Sequence, residues 1–282
     1  MQILKTVNEM RAVSRTARGE GERLGFVPTM GALHEGHLSL VRAAKLQSDA
    51  VIVSIFVNPR QFGPNEDFAK YPRTFENDCG LLEKEGVDFI FAPPVEAMYP
   101  AGAVTYVSVE GLSGKLCGKS RPGHFRGVTT VVATLFHIVE PDVAFFGQKD
   151  AAQVAIVRRM VKDLNHPVEI VACPIVREPD GLAMSSRNGY LSAKERKWAL
   201  ALYRSLMQVQ ELFQGGEDSA IRLIEAGKRV LAAQPEVKVD YLEIVDPETL
   251  DARGSVAGPA LVAVAAYVGT TRLIDNIVLT PE

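Results

Sequence analysis

Two histidines three residues apart, His34 and His37, sit in Gly31-Ala32-Leu33-His34-Glu35-Gly36-His37, directly after the apolar run Leu24-Gly25-Phe26-Val27. A helical pattern, Leu38–Gln47, follows at once. At spacing i, i+3 on one helical turn both rings face one side, where they can donate to phosphate oxygens and follow charge developing in phosphoryl transfer. Gly31 and Gly36 permit close backbone approach, and N–H groups left over at a helix start form an anion site. A zinc protease needs H-E-x-x-H, with its histidines four apart. Here the string is H-E-G-H with Gly36 in the turn, so zinc hydrolysis is not expected. The bland alternative is a solvated helix start with incidental histidines; the two glycines and the preceding strand weigh against it.

Two further clusters carry similar chemistry. Lys149 and Asp150 stand where an apolar run gives way to a helical one, so the lysine can reach a phosphate while the aspartate accepts from ribose hydroxyls. The competing structural role is a helix start with Asp150 as cap. Met184-Ser185-Ser186-Arg187 offers two hydroxyls and a guanidinium in a loop closed by the turn dipeptide Asn188-Gly189. Such a loop can fold its donors over a triphosphate. No G-x-S-x-G string or other nucleophile motif occurs, so a covalent protein intermediate is not expected.

The elements that must position these groups follow from periodicity. Strand-length apolar runs at Leu24–Val27, Ala50–Val57, Val87–Phe91, Val143–Phe146 and Val168–Val171 alternate with helical patterns at Leu38–Gln47, Asn77–Glu85, Gly127–Ile138 and Ala151–Leu164. That alternation predicts an α/β fold: a Rossmann-like, doubly wound parallel sheet with helices on both faces. In such sheets ligands bind beyond the carboxyl ends of the strands, where the histidine, Asn58–Phe62, Gly147–Gln153 and Pro174–Arg187 stretches all fall. Leu191-Ser192-Ala193-Lys194-Glu195 reads as a capping box that opens a new helical unit. Gln214-Gly-Gly-Glu217 breaks that helix, a second runs through Ala232, and strands at Val239–Val245 and Ala260–Val268 come last. The expected division is a nucleotide- and substrate-binding domain over residues 1–176 and a smaller α+β domain over 177–282 that covers the site.

The 282 residues are 47% apolar and 23% charged, enough for one large or two medium cores. With a formal net charge of −3, no broad basic face for nucleic acid or anionic membrane is expected. The amino-terminal stretch lacks a secretory pattern, and no window approaches the roughly 20 apolar residues of a membrane span. Cys79, Cys117 and Cys173 are odd in number and widely spaced, which fits a reducing cytoplasm rather than a disulfide or zinc framework.

Six stretches together resemble the pantothenate synthetase (pantoate–β-alanine ligase) family, essentially from end to end. They are Val27-Pro-Thr-Met-Gly-Ala-Leu-His-Glu-Gly-His37, Ser54-Ile-Phe-Val-Asn-Pro-Arg-Gln-Phe62, Tyr71-Pro-Arg-Thr74, Arg121-Pro-Gly-His-Phe-Arg-Gly127, Phe145-Phe-Gly-Gln-Lys-Asp150 and Met184-Ser-Ser-Arg-Asn188. The family belongs to the HxGH nucleotidyltransferases. The resemblance implies ATP-dependent condensation of pantoate with β-alanine through a pantoyl adenylate, with AMP and pyrophosphate released, Mg²⁺ with the ATP, and a homodimer.

The same resemblance assigns residues. It places ATP against Met30, Gly31, Ala32, Leu33, His34, Glu35, Gly36 and His37, then Gly147, Gln148, Lys149 and Asp150, then Val176, and finally Met184, Ser185, Ser186 and Arg187. His34, His37, Lys149, Ser185, Ser186 and Arg187 are the implied catalytic set, with His37 as proton donor. Gln61 and Gln153 are implied for pantoate, Gln61 also for β-alanine, and Asp78 for magnesium. Two positions depart from the family pattern: Arg60, where an apolar residue is expected, and Ala152, where a glutamine is frequent. Arg60 raises the question of added charge near pantoate. Two alternatives are another HxGH nucleotidyltransferase, which would need a basic acceptor pocket where Gln61 and Gln153 stand, and a non-catalytic nucleotide binder, which would have no use for the full phosphate-handling set.

Overall fold

The structure, a computed structural model, describes residues 1–64 and 66–281. In chain order these form β1 (Gln2–Leu4), α1 (Val7–Gly19), β2 (Leu24–Thr29), α2 (Glu35–Lys45), β3 (Ala50–Ile55), α3 (Phe75–Lys84), β4 (Phe89–Phe91), α4 (Val95–Met98), α5 (Cys117–Ser120) and α6 (His124–Val139). There follow β5 (Val143–Gly147), α7 (Ala151–Asp163), β6 (Glu169–Cys173), α8 (Ala193–Gln214), α9 (Ala220–Ala232), β7 (Val237–Val245), β8 (Ala260–Val268) and β9 (Thr271–Leu279). Packing separates two compact units. One comprises Met1–Ser113, Arg121–Gly147 and Ile156–Pro174; the other comprises Gly114–Ser120, Gln148–Ala155 and Ile175–Glu282.

The first unit holds the expected parallel sheet, in the order β1-β4-β3-β2-β5-β6. Strands β2 and β3 are almost wholly buried, as continuous apolar runs in a doubly covered sheet must be. Val27, Val53, Ile90 and Phe145 pack there with Leu38 and Val41 of α2. The chain reverses its direction of travel across the sheet between β2 and β5, which defines the switch point. The β2–β5 ladder runs only through Gly25–Val143 and Phe26–Ala144. The strands therefore part before Pro28, whose missing N–H could not extend the ladder. Met30 to His37 follows β2 at that point.

In the second unit, α8 and α9 pack on an antiparallel sheet of order β7-β8-β9. Helix α8 starts at the expected capping box: Ser192 Oγ accepts the Glu195 N–H at 3.3 Å, and Glu195 accepts the Ser192 N–H at 2.8 Å. Leu202, Leu206, Leu223 and Val264 are fully buried in its core. The sequence places one division at 176/177, whereas packing also gives Gly114–Ser120 and Gln148–Ala155 to this unit. The reason is specific bonding. Ser120 Oγ donates to Asp240, and Lys115 Nζ reaches Asp251 and the Thr249 carbonyl, each at 2.7 Å. The Asn276 side chain holds the carbonyls of Gln148 and Lys149.

Among the described residues the three cysteines are unpaired and no helix is long and apolar enough to cross a membrane.

Candidate active site

The loop from β2 to α2 is built round a buried carboxylate. Gly31 and Ala32 both have positive φ, 79° and 51°, and this pair of left-handed residues turns successive N–H groups inward. Asp78, fully buried on α3, accepts the Ala32 N–H on Oδ2 and the Leu33 N–H on Oδ1, each at 2.9 Å. Thr74 Oγ1 adds a third bond at 3.1 Å. The family resemblance implies magnesium at Asp78; in the structure its two oxygens accept from Ala32, Leu33 and Thr74. Both oxygens of Asp78 are committed to protein donors, so it acts as a clamp on the loop. Among the described residues no group of three His, Cys, Asp or Glu side chains could hold a metal.

Two N–H groups at the helix start are bonded by the histidines themselves. His34 is the N-cap of α2, and its Nδ1 accepts the Gly36 N–H at 3.1 Å. His37 Nδ1 accepts the His34 N–H at 3.4 Å, and the Gly31 N–H goes to Thr29 Oγ1. With Nδ1 an acceptor in both rings, a ring proton of each lies on Nε2. The rings lie 4.1 Å apart, centroid to centroid. Glu35 is engaged by Arg42, which also pairs with Glu85.

Gln61 ends a 3-10 turn, Pro59–Gln61, that follows β3. Gly127 of α6 lies against it, where any Cβ would collide with the Arg60 carbonyl. Gln61 Oε1 accepts from Asn58 Nδ2 at 2.9 Å and its Nε2 points to Met30 Sδ at 3.1 Å, so Gln61 and Met30 are brought together. The Gln61 carbonyl accepts from His124 Nδ1 at 2.8 Å, while Arg121 donates to His124 Nε2 and forms a bidentate pair with Glu66. Burial pushes the Glu66 carboxyl up, but Arg121 more than offsets this and leaves it lowered. Sequence reasoning assigned no individual role to Asn58, Glu66, Arg121 or His124; Asn58 was signalled by its place after β3, and Arg121 and His124 by the stretch that resembles the family.

Arg60 turns away from Gln61. Its guanidinium lies over the Tyr99 ring at 4.0 Å and the Tyr106 ring at 4.6 Å, and donates to the carbonyls of Ala103 and Thr105. Both apolar contact and charge are thus satisfied away from the Gln61 amide.

In the second unit, Gln148, Lys149 and Asp150 form one 3-10 turn, with Lys149 Nζ 4.0 Å from the Asp150 carboxylate. Gly147 precedes it as the last residue of β5. Gln153 is half-buried in the first turn of α7, and Ala152 beside it is buried. The Val176 carbonyl accepts the Met184 N–H at 3.0 Å, and an Arg177–Ala183 bridge continues this narrow hairpin. Ser185 caps the turn Ser186–Tyr190, its Oγ accepting the Arg187 N–H at 3.2 Å. The loop is tethered at its far end, where Asn188 donates to Glu178 at 3.0 Å and Arg196 holds Glu178 in a bidentate pair. Hydrogen bonds from Arg196 keep the Glu178 carboxyl low.

A parallel, doubly wound sheet with a paired-histidine loop at its switch point puts this protein in the class of Rossmann-like nucleotide-handling folds. The profile of the pantoate-beta-alanine ligase family matches residues 2–278. A pantothenate synthetase of Koribacter versatilis is 61% identical over 279 residues, which cover 99% of this chain and 96% of that one. The crystal structure of the Thermus thermophilus pantothenate synthetase aligns over 100% of both chains with a TM-score of 0.95 and 50% identity. That of the Francisella tularensis pantoate-beta-alanine ligase, complexed with beta-gamma ATP and β-alanine, gives 0.81 and 34% over 98% of this chain and 97% of that one. The chain belongs to the pantoate–β-alanine ligase family, and its reaction is the ATP-dependent ligation of pantoate to β-alanine.

Proposed function

We propose that the ligation runs through pantoyl adenylate. A carboxylate oxygen of (R)-pantoate attacks the α-phosphorus of ATP as the bond to pyrophosphate breaks. The β-alanine amine then attacks the acyl carbon, the acyl–oxygen bond to AMP breaks, and the amine proton leaves to solvent. Pantothenate and AMP are the products.

The observation that carries this reading is the His34–His37 pair, both using Nδ1 as acceptor and so carrying protons on Nε2 at the end of β2. Ring N–H donors suit a polyanion, because they stabilise charge that shifts onto the leaving pyrophosphate. In this reading Met30 to His37, Gly147 to Asp150, the Val176 backbone and Met184 to Arg187 bind ATP. His37 donates toward the leaving group, and Lys149, Ser185, Ser186 and Arg187 neutralise the phosphates. Gln61 and Gln153 hold pantoate by neutral hydrogen bonds, with Gln61 also beside β-alanine. Attack of an anion on an anion makes charge neutralisation and positioning the main catalytic tasks. Magnesium would enter with the nucleotide and help neutralise its phosphates. Asp78 is the residue that the family resemblance assigns to magnesium. The family resemblance further supports a cytoplasmic homodimer acting on small molecules, without nucleic acid or membrane partners.

The test is product analysis. Pyrophosphate release must require pantoate, and AMP release must rise on adding β-alanine. ADP as product, or pyrophosphate release without pantoate, would overturn the adenylate route.

A further inference from the structure

We propose that Asn276 is a positioning residue for Lys149. A single 3-10 turn such as Gln148–Asp150 has poor intrinsic stability and cannot fix a lysine by itself. Its two carbonyls, those of Gln148 and Lys149, both accept from Asn276 Nδ2, at 2.9 and 3.0 Å. One amide nitrogen with two hydrogens thereby chelates the turn. The return bond, Gln148 Nε2 to Asn276 Oδ1 at 3.3 Å, fixes which way the amide faces. Asn276 is itself immobilised: it is 2% exposed, lies in β9 opposite Ala263 of β8, and gives its N–H to Asp275 Oδ1 at 2.8 Å. Asp275 in turn is gripped by Arg177 at 2.6 and 2.9 Å.

This arrangement matters because the lysine ammonium is a point charge on a flexible stem. Its reach is set by where the Cα is held, and a strand-borne amide holds it more rigidly than the turn can. A buried polar side chain costs stability unless it is hydrogen-bonded. Asn276 spends both donors on the backbone of the proposed phosphate-binding turn, which explains its presence there. The inference rests on the assignment of Lys149 to the ATP phosphates, and the experiment separates the two.

Asn276→Ala and Asn276→Asp would be assayed for pantothenate formation, each alone and in a Lys149→Ala background. The aspartate variant conserves volume, which keeps the test usable if the alanine variant folds poorly, but it sets an oxygen against two carbonyl oxygens. In the otherwise unaltered enzyme, kcat/KM for ATP should fall by about tenfold to a hundredfold, the scale of a misplaced catalytic group. The KM values for pantoate and β-alanine should stay within about twofold. In the Lys149→Ala background the further loss should be under about threefold, because the group being positioned is gone. Equal losses in both backgrounds, or no loss in either, would overturn the role of Asn276 alone. A Lys149→Ala enzyme with near-unaltered ATP kinetics would overturn the phosphate assignment, and this inference with it.

Discussion

Gln61 receives the Asn58 amide N–H on its side-chain oxygen, 2.9 Å away, and this fixes the orientation of both amides. Asn58 Oδ1 must be an acceptor, because it takes the Arg60 N–H at 3.2 Å and the Tyr99 hydroxyl at 2.8 Å. Its Nδ2 is then the donor to Gln61 and to the Gly127 carbonyl. Gln61 consequently turns its NH₂ toward Met30 and offers donors, not an acceptor, to a bound carboxylate or hydroxyl. Gln61→Glu replaces those donors with an anion while keeping an oxygen for Asn58 Nδ2, so folding should survive. The expected result is a fall in kcat/KM for pantoate of about tenfold to a hundredfold, by loss of one or two hydrogen bonds. Unchanged pantoate kinetics would remove Gln61 from the substrate.

Tyr99 supplies the far end of that chain. Burial pushes its hydroxyl up to about 12, the Arg60 guanidinium opposing only in part. The hydroxyl therefore stays a donor to Asn58 across the working range. An ultraviolet difference titration between the unaltered protein and Tyr99→Phe should show the missing tyrosinate signal only near pH 12 in the folded state. Appearance of that signal near the ordinary tyrosine value of about 10 would mean that Tyr99 is solvated. Loss of the bond should cost about 1 kcal/mol of stability.

The Arg60 side chain poses a sharper question, because sequence alone raised added charge near pantoate. Its guanidinium lies against Tyr99 and Tyr106 and is bonded to two carbonyls, so the charge is consumed by structure. Arg60→Leu should leave pantoate KM within about twofold and lower stability by about 1–2 kcal/mol, mainly through lost cation–π and carbonyl contacts. A marked change in pantoate KM at unchanged melting temperature would restore the electrostatic role.

The expected strands and helices of the parallel sheet formed because each carries its own apolar period, and Ser192 and Glu195 announced α8 through local chemistry. Other elements were not read from the sequence, α1 among them although Thr6 and Glu9 form a capping box of the same kind. Strand β1 is only three residues long, α1 is mostly polar, and β9 interrupts its apolar run with Arg272, Asp275 and Asn276. Strand β9 forms because the bonds of Asp275 and Asn276 go to Arg177, Gln148 and Lys149, partners about 100 or more residues away that no local window contains. The same limit applies at the site. His34 and His37 could be read as a pair from spacing, but the engagement of the loop amides by Asp78 depends on a contact across 46 positions. No local window shows that a carboxylate on α3 takes two of the loop N–H groups.

Asp246 gives a prediction in pH. Backbone N–H bonds, first from Thr249 and then from Glu248, together with Arg253 at 2.5 Å, hold its carboxyl down at about 2. A depressed folded value means that the contribution is present above the unfolded carboxylate range, near about 3.9, and is lost as pH falls toward about 2. Discounted for its partial exposure, it amounts to about 1 kcal/mol at neutral pH. Asp246→Asn should melt lower than the unaltered protein at about pH 7, and the two melting temperatures should converge near about pH 2. A gap that persists there would assign the effect to packing.

His34 combines two tasks that can be separated by substitution. Its Nδ1 caps α2 by accepting the Gly36 N–H, while Nε2 carries the ring proton assigned to phosphate chemistry. Asparagine is a favoured N-cap whose short side chain can replace the Nδ1 acceptor but cannot reach the Nε2 position. His34→Asn should therefore keep the melting temperature within about 2 °C, the shift a few tenths of a kcal/mol produces, while slowing adenylate formation by about 10²–10³, as for a lost transition-state donor. His34→Ala should lose both, with about 1 kcal/mol of stability gone through the cap. The pair of variants isolates chemistry from architecture: if His34→Asn forms adenylate at nearly the unaltered rate in a single turnover, the ring serves only as a cap and the proton donation rests on His37 alone.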